Sequence, residues 1–124
     1  MAKIIRNILI VILVYISYYC YHNFFSINTI VGKYVVEQQG LEPFLAETPY
    51  GDDFLILKSD FTFISSYWGT GTWDVSSDFQ NGTRIHLIYE NGKSSYSANI
   101  KRQYLSSPRV IMDIDMNHYM GKIN

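Results

Sequence analysis

The sequence predicts a mainly β domain, an antiparallel up-and-down meander closed as a barrel or stacked as a sandwich, preceded by one membrane-spanning helix. Two observations predict it: an apolar run at the N-terminus, and about seven or eight short segments with period-two alternation at roughly ten-residue spacing. The chain has 124 residues, which is enough for one small domain beside the helix. We therefore expect an anchor and a single β domain.

The N-terminal helix is predicted over residues 1–25. Its apolar run, residues 4–25, is about 22 residues long, and a helix needs roughly 20 to cross the hydrocarbon core. Lys3 and Arg6 flank its start, whereas the next lysine after it is Lys33, so the N-terminus is predicted to be cytoplasmic and the domain outside. Aromatic side chains crowd the second half, as at a membrane interface: Tyr15, Tyr18, Tyr19, Tyr21, Phe24 and Phe25.

Two other interpretations of this run are a cleaved signal peptide and a buried helix of a soluble protein. A cleavage site needs small residues, and the segment around Cys20 offers tyrosines and a histidine instead. A lipoprotein signal would also place a small residue before the cysteine. Cys20 is the only cysteine of the chain, so the β domain has none to cross-link. A retained anchor is the preferred interpretation.

Beyond the anchor, residues 26–30 are predicted to be a polar connector and residues 31–124 the β domain. Asn91-Gly92 is the strongest turn signal, because Asn-Gly tolerates the positive φ angles of a type I′ hairpin. The segment 38–53 is predicted to be a long loop. The predicted strands are 30–36, 54–58, 61–65, 72–76, 83–90, 94–102, 109–115 and 118–123. The predicted aromatic core is Phe61, Phe63, Trp73, Tyr89, Tyr96 and Tyr119.

Several short motifs occur in a characteristic order. Gly32-Lys33-Tyr34 opens the first strand and Lys122 lies near the end of the last; between them run Leu55-Ile56-Leu57, Asp60-Phe61-Thr62-Phe63 and Gly71-Thr72-Trp73. Over residues 31–123 this order resembles the small lipocalin-like (calycin) barrels. The resemblance implies that Gly32, Tyr34 and Lys122 close one end of the barrel, through a cation–π contact of the tyrosine and the lysine.

The chain departs from the lipocalin-like pattern in three respects. Tyr34 replaces the usual tryptophan, the domain is short, and a C-terminal helix is missing. The last two departures argue against a large internal ligand cavity. The chain also resembles small membrane-anchored bacterial proteins, for which a role in immunity against toxins is one hypothesis.

Asp113, Asp115 and His118 form the most suggestive polar cluster, because Asp-x-Asp-x-Asn opens a calcium loop. His118 takes the place of the required glycine, so a solvated strand end is the preferred interpretation and no metal or other cofactor is predicted. Together with His86 these residues would supply a metal-dependent or hydrolytic enzyme, which is an alternative function. Among the many serines, none lies in a Gly-x-Ser-x-Gly motif.

Tyr67 and Trp68 are adjacent to glycines in a predicted turn, where a large apolar pair is hard to bury. Core packing is the preferred interpretation of this pair, and a binding hot spot or membrane contact is the alternative. The net charge of −1 gives no support for nucleic-acid binding. The predicted function is a membrane-tethered, non-enzymatic binding module for a protein or a lipophilic small molecule. A structural envelope component is a further alternative.

Overall fold

The computed structural model describes residues 1–36, 52–102, 107–113 and 118–123, which form an apolar helix followed by a closed barrel of eight antiparallel strands. Each strand pairs with the next along the chain, and the last pairs with the first. The predicted mainly β meander is confirmed as a barrel. The elements are α1 Ala2–Asn23, α2 Ile27–Ile30, β1 Gly32–Val36, β2 Phe54–Leu57, β3 Thr62–Ser65, β4 Gly69–Asp78, β5 Gly82–Tyr89, β6 Ser94–Lys101, β7 Arg109–Asp113 and β8 His118–Lys122.

Helix α1 is long and apolar enough to cross a membrane. It has 22 residues, none of them buried, and it ends at Asn23 because Phe24 is extended. The core helix of a soluble protein buries one apolar face, and α1 does not. Its exposure therefore argues against the soluble-helix interpretation.

The barrel interior follows the alternation predicted from the sequence. In β5 the side chains of Thr83, Ile85 and Leu87 are buried, and in β6 those of Ala98 and Ile100 are buried opposite them. Such period-two burial is what one buried face of a sheet requires. The other buried apolar residues are Ile30, Tyr34, Val36, Leu55, Leu57, Phe63, Trp68, Trp73, Val110 and Met120.

The prediction that Phe61 is a core residue of a strand is wrong. Its φ angle is 65° and its side chain is 39% exposed. The cause is a local turn: the Asp60 carboxylate accepts hydrogen bonds from the backbone N–H and hydroxyl of Thr62, so the strand begins only at Thr62. These bonds hold the pKa of Asp60 below its usual value. Phe61 instead packs on the outer edge of Trp73, with 5.1 Å between ring centroids.

The predicted connector contains a helical turn, α2, that covers one end of the barrel. Ser26 caps it, since its side chain accepts a hydrogen bond from the N–H of Thr29. Ile30, which the sequence suggested as the start of the first strand, is the last residue of this turn and is fully buried. The turn thus acts as a plug between α1 and the barrel.

The predicted closure residues meet at this plug. Tyr34 and Lys122 are partners across the β1–β8 seam. The Tyr34 hydroxyl donates to the carbonyl of Ile30 at 2.6 Å, and the Lys122 ammonium donates to the carbonyl of Thr29 at 2.7 Å. Both side chains therefore hydrogen-bond the end of α2, in place of the cation–π contact that the resemblance implied. Burial raises the pKa of Tyr34, and burial with the nearby Arg102 charge lowers the pKa of Lys122.

Replacing Tyr34 with phenylalanine removes the hydroxyl and leaves the buried Ile30 carbonyl without its partner. We expect Tyr34→Phe to lower the free energy of unfolding by about 1–2 kcal/mol. Urea unfolding in mild detergent, followed by the fluorescence of the buried Trp68 and Trp73, measures it. Tyr89→Phe is the control, because this half-buried tyrosine lies at the opposite end of the barrel. Equal losses in the two variants would contradict the proposed role of the hydroxyl.

Candidate functional site

A cleft opens in the barrel wall where β6 and β7 separate. In the described part of the chain these strands pair over Asn99–Lys101 and Arg109–Ile111, and β7 has an irregular register after Ile111. The cleft has a volume of about 290 Å³. It is lined by residues of β5, β6 and β7: Arg84, Tyr96, Ser97, Ala98, Asn99, Lys101, Ile111 and Met112.

The cleft has one apolar and one polar side. Tyr96, Ile111 and Met112 supply apolar surface, and the Tyr96 hydroxyl donates to Met112 Sδ at 3.3 Å, which bridges the two strands. Arg84 and Lys101 give the polar side a positive charge. The arrangement suits an anionic group with an apolar part attached.

Two buried polar atoms beside the cleft make no hydrogen bond to any described residue: Arg84 Nε and Asn99 Oδ1. The residues are direct cross-strand partners on the outer face of β5 and β6. A buried polar group without a partner costs roughly 1–3 kcal/mol. Both side chains line the cleft, so the two unpartnered atoms belong to residues of its wall.

Further along the same outer face, His86 lies between two serines. Its Nε2 is 2.9 Å from Ser76 Oγ and its Nδ1 is 2.7 Å from Ser97 Oγ. A neutral imidazole donates through one nitrogen and accepts through the other, so one serine donates to the ring as a nucleophile would. Asp74, the cross-strand partner of His86, uses its Oδ1 to accept from the N–H of Val75. The row lies exposed on the sheet, and the backbone groups beside it are committed to the β4–β5–β6 ladders.

The predicted polar cluster is not assembled around His86. Asp113 and His118 are partners in the β7–β8 register, and Asp115 lies outside the described residues. His86, on β5, is three strands from His118, or roughly 14 Å at the usual strand spacing. Within the described ranges, no three His, Cys, Asp or Glu side chains come together as a metal site.

Tyr67 and Trp68 lie in the turn between β3 and β4, at the barrel end opposite α1. Trp68 is only 7% exposed and packs on Tyr96, with 5.0 Å between ring centroids. Tyr67 is half-buried, and the backbone N–H groups of both residues donate to Ser65 Oγ. The core interpretation therefore fits Trp68, which is buried. A binding role of the pair stays a prediction from the sequence.

Comparisons of the chain with known protein families, with curated proteins and with solved structures found no match. The structure shows a closed barrel of eight antiparallel strands, and the resemblance to lipocalin-like barrels stays a prediction from the sequence. Sequence reasoning missed the cleft. Alternation could place Arg84, Asn99 and Lys101 on the outer face, but it carries no signal for the separation of β6 from β7.

The exposed setting of the Ser76–His86–Ser97 row predicts that neither serine is an activated nucleophile. An oxyanion needs preorganised donors in a site without water, and an open sheet surface provides neither. We expect no covalent labelling of the full chain by a fluorophosphonate probe, measured by intact mass. Labelling that disappears in His86→Ala would contradict this and revive the hydrolase alternative. Ser95→Ala, at an exposed serine of β6 outside the row, is the control.

Proposed function

We propose that this chain is a membrane-tethered binding module whose β6–β7 cleft takes an anionic ligand with an apolar portion. In this proposal α1 is an uncleaved anchor, with the N-terminus cytoplasmic and the barrel on the other side of the membrane. The single observation that carries the ligand assignment is the unpartnered pair Arg84 Nε and Asn99 Oδ1 beside a positively charged, partly apolar cleft.

Direct contacts between α1 and the barrel support a retained anchor. The N–H of Arg102 donates to the His22 carbonyl at 3.3 Å, and the Tyr19 hydroxyl donates to the Phe79 carbonyl at 2.6 Å. At Gly82, where φ is 70°, an added Cβ would lie 2.8 Å from the Asn23 carbonyl oxygen. A removable signal has no need of fitted contacts with the mature domain, whereas an anchor that positions the barrel does.

The ligand chemistry follows from the donors and acceptors of the cleft. Arg84 and Lys101 favour an anionic group, and a guanidinium can donate to a carboxylate or phosphate through two parallel bonds. The Asn99 amide can accept from a hydroxyl or amide beside that group. Tyr96, Ile111 and Met112 would contact an alkyl or aromatic portion. A fatty-acid-like or phospholipid-like amphiphile has this combination of groups.

We propose a site in the barrel wall because large side chains fill the barrel interior. Tyr34, Phe63 and Trp73 are all at most 2% exposed in the interior. A protein partner, including a toxin recognised by an immunity protein, remains a prediction from the sequence. An enzyme and a purely structural envelope component are competing hypotheses, and the open Ser76–His86–Ser97 row gives the enzyme little support.

The ligand assignment is tested by binding of a dansylated fatty acid to the full chain in nanodiscs of neutral lipid, with empty nanodiscs as the baseline. We expect Arg84→Gln to weaken binding about 10–100-fold, since it removes a charge-assisted hydrogen bond worth about 1.5–3 kcal/mol. Dansyl fluorescence measures the affinity. The methyl ester of the probe should bind the wild-type chain as weakly as the acid binds the variant.

Lys93→Gln is the matched control, because it removes one exposed positive charge from the turn at the opposite end of the barrel. Its affinity should equal that of the wild type. Urea midpoints of both variants show whether the fold is intact. Equal affinities of the wild-type chain for acid and ester, or an Arg84→Gln variant that binds as the wild type does, would refute the anionic site.

A further inference from the structure

The barrel end that carries α1, here called the α1 end, exposes four large apolar side chains to solvent. Phe79 is 76% exposed in the β4–β5 turn, and Ile123 is 58% exposed after β8. Phe61 in the β2–β3 turn is 39% exposed and Ile27 in α2 is 38% exposed. All four lie on the side from which α1 emerges. Exposed apolar groups that share one end of a molecule indicate an interaction surface.

Phe79 lies beside the membrane helix and not merely near its end. Its ring is 5.6 Å from that of Tyr19, and with Tyr15, Ile16 and Tyr19 it lines a groove of about 150 Å³. Ile16 precedes the last residue of α1, Asn23, by about 10 Å along the helix axis. If α1 spans the bilayer with its end at the interface, the tip of the β4–β5 hairpin lies below that level.

The turn that carries Phe79 is held in shape by its own side chains. The Asp78 carboxylate accepts hydrogen bonds from the backbone N–H of Asn81 at 2.6 Å and from the Asn81 side-chain amide at 3.3 Å. These bonds, and more weakly the Arg84 charge, lower the pKa of Asp78. The exposed phenylalanine is thus presented on a fixed turn at the end of the longest strand, β4.

Charge is distributed unevenly along the barrel axis. The α1 end carries two acidic residues, Asp60 and Asp78. It carries five basic residues: Lys58, Lys101, Arg102, Arg109 and Lys122. At the opposite end, the described strand ends and turns carry Asp52, Asp53, Glu90 and Asp113, with Lys93 as the single lysine or arginine. The end that faces the membrane is therefore the positive one. Basic groups close to a bilayer are attracted to anionic headgroups.

We infer that the α1 end is a membrane-docking surface, with the partner being the phospholipid bilayer that α1 spans. The β4–β5 turn inserts Phe79 into the interfacial region, and the basic residues around it contact lipid phosphates. The inference rests on the proposed anchor but not on the ligand cleft. In this arrangement α1 and the β4–β5 turn are two contacts that fix the barrel against the membrane.

The test is quenching of an NBD dye by lipids that carry a doxyl group near the headgroup, on the full chain reconstituted in phosphatidylcholine vesicles. The dye is attached to the cysteine of a Phe79→Cys variant or of a Lys93→Cys variant, each also carrying Cys20→Ser. We expect the dye at position 79 to lose most of its fluorescence and the dye at position 93 to lose none. Equal quenching at the two positions would overturn the inference.

The wild-type chain, labelled at Cys20 within α1, separates failure of this inference from failure of the anchor. Quenching at Cys20 without quenching at position 79 means that the anchor is correct and the docking surface is not. Absence of quenching at both means that α1 does not enter the bilayer.

Charge reversal tests the basic residues with a matched pair. Lys58→Glu and Lys93→Glu change the net charge equally but lie at opposite ends of the barrel. Addition of phosphatidylglycerol to the vesicles should increase quenching at position 79. Lys58→Glu should lose this increase, and Lys93→Glu should keep it. The same response in both variants would contradict the role of charge at the α1 end.

Discussion

A buried hydroxyl at the closure of the barrel is the constraint on which the rest of the structure depends. Tyr34 belongs to the first strand, pairs with Lys122 of the last, and bonds the carbonyl of Ile30 in α2. Strands β1 and β8 and the plug α2 therefore meet at the Tyr34 side chain, which is buried from water. Only three residues, Phe24–Ser26, separate α2 from α1. The interaction that closes the barrel thus also fixes where α1 leaves it.

Sequence reasoning succeeded where local rules and tertiary structure agree. The alternation of Ile85 and Leu87 with Arg84 and His86 predicted the buried face, and Asn91-Gly92 predicted the hairpin, with Asn91 at a φ angle of 58°. It failed at α2 and at Phe61 for a different reason. A four-residue helix is too short to show a period, and a carboxylate that bonds the residue two positions later overrides an alternating pattern. Trp68 beside its glycines is buried only because β6 supplies Tyr96 to cover it.

The cleft is of a kind that one sequence cannot specify. Several of its polar groups are predictable as outward residues of a hairpin, but its shape depends on where the β6–β7 pairing stops, at Asn99 and Ile111. The unpartnered state of Arg84 Nε and Asn99 Oδ1 likewise follows from packing. The architecture of the fold could thus be predicted from the sequence. For the candidate site, only the outward position of some of its polar residues could be predicted. A local irregularity in a strand also re-aims its side chains, which regular alternation along the sequence does not predict.

The docking surface and the cleft are connected by their position on the barrel. Lys101 ends β6 at the α1 end and also lines the cleft, so in the proposed arrangement the positive side of the cleft would lie nearest the membrane surface. An amphiphile held in the adjacent leaflet would have its anionic group at the level of Lys101 and Arg84, and would enter without crossing water. The contacts of α1 with the barrel, at His22–Arg102 and Tyr19–Phe79, would hold the barrel against that helix. In the proposed arrangement, insertion of Phe79 beside Tyr19 would add a membrane contact of the barrel itself and keep the cleft at the level of the headgroups.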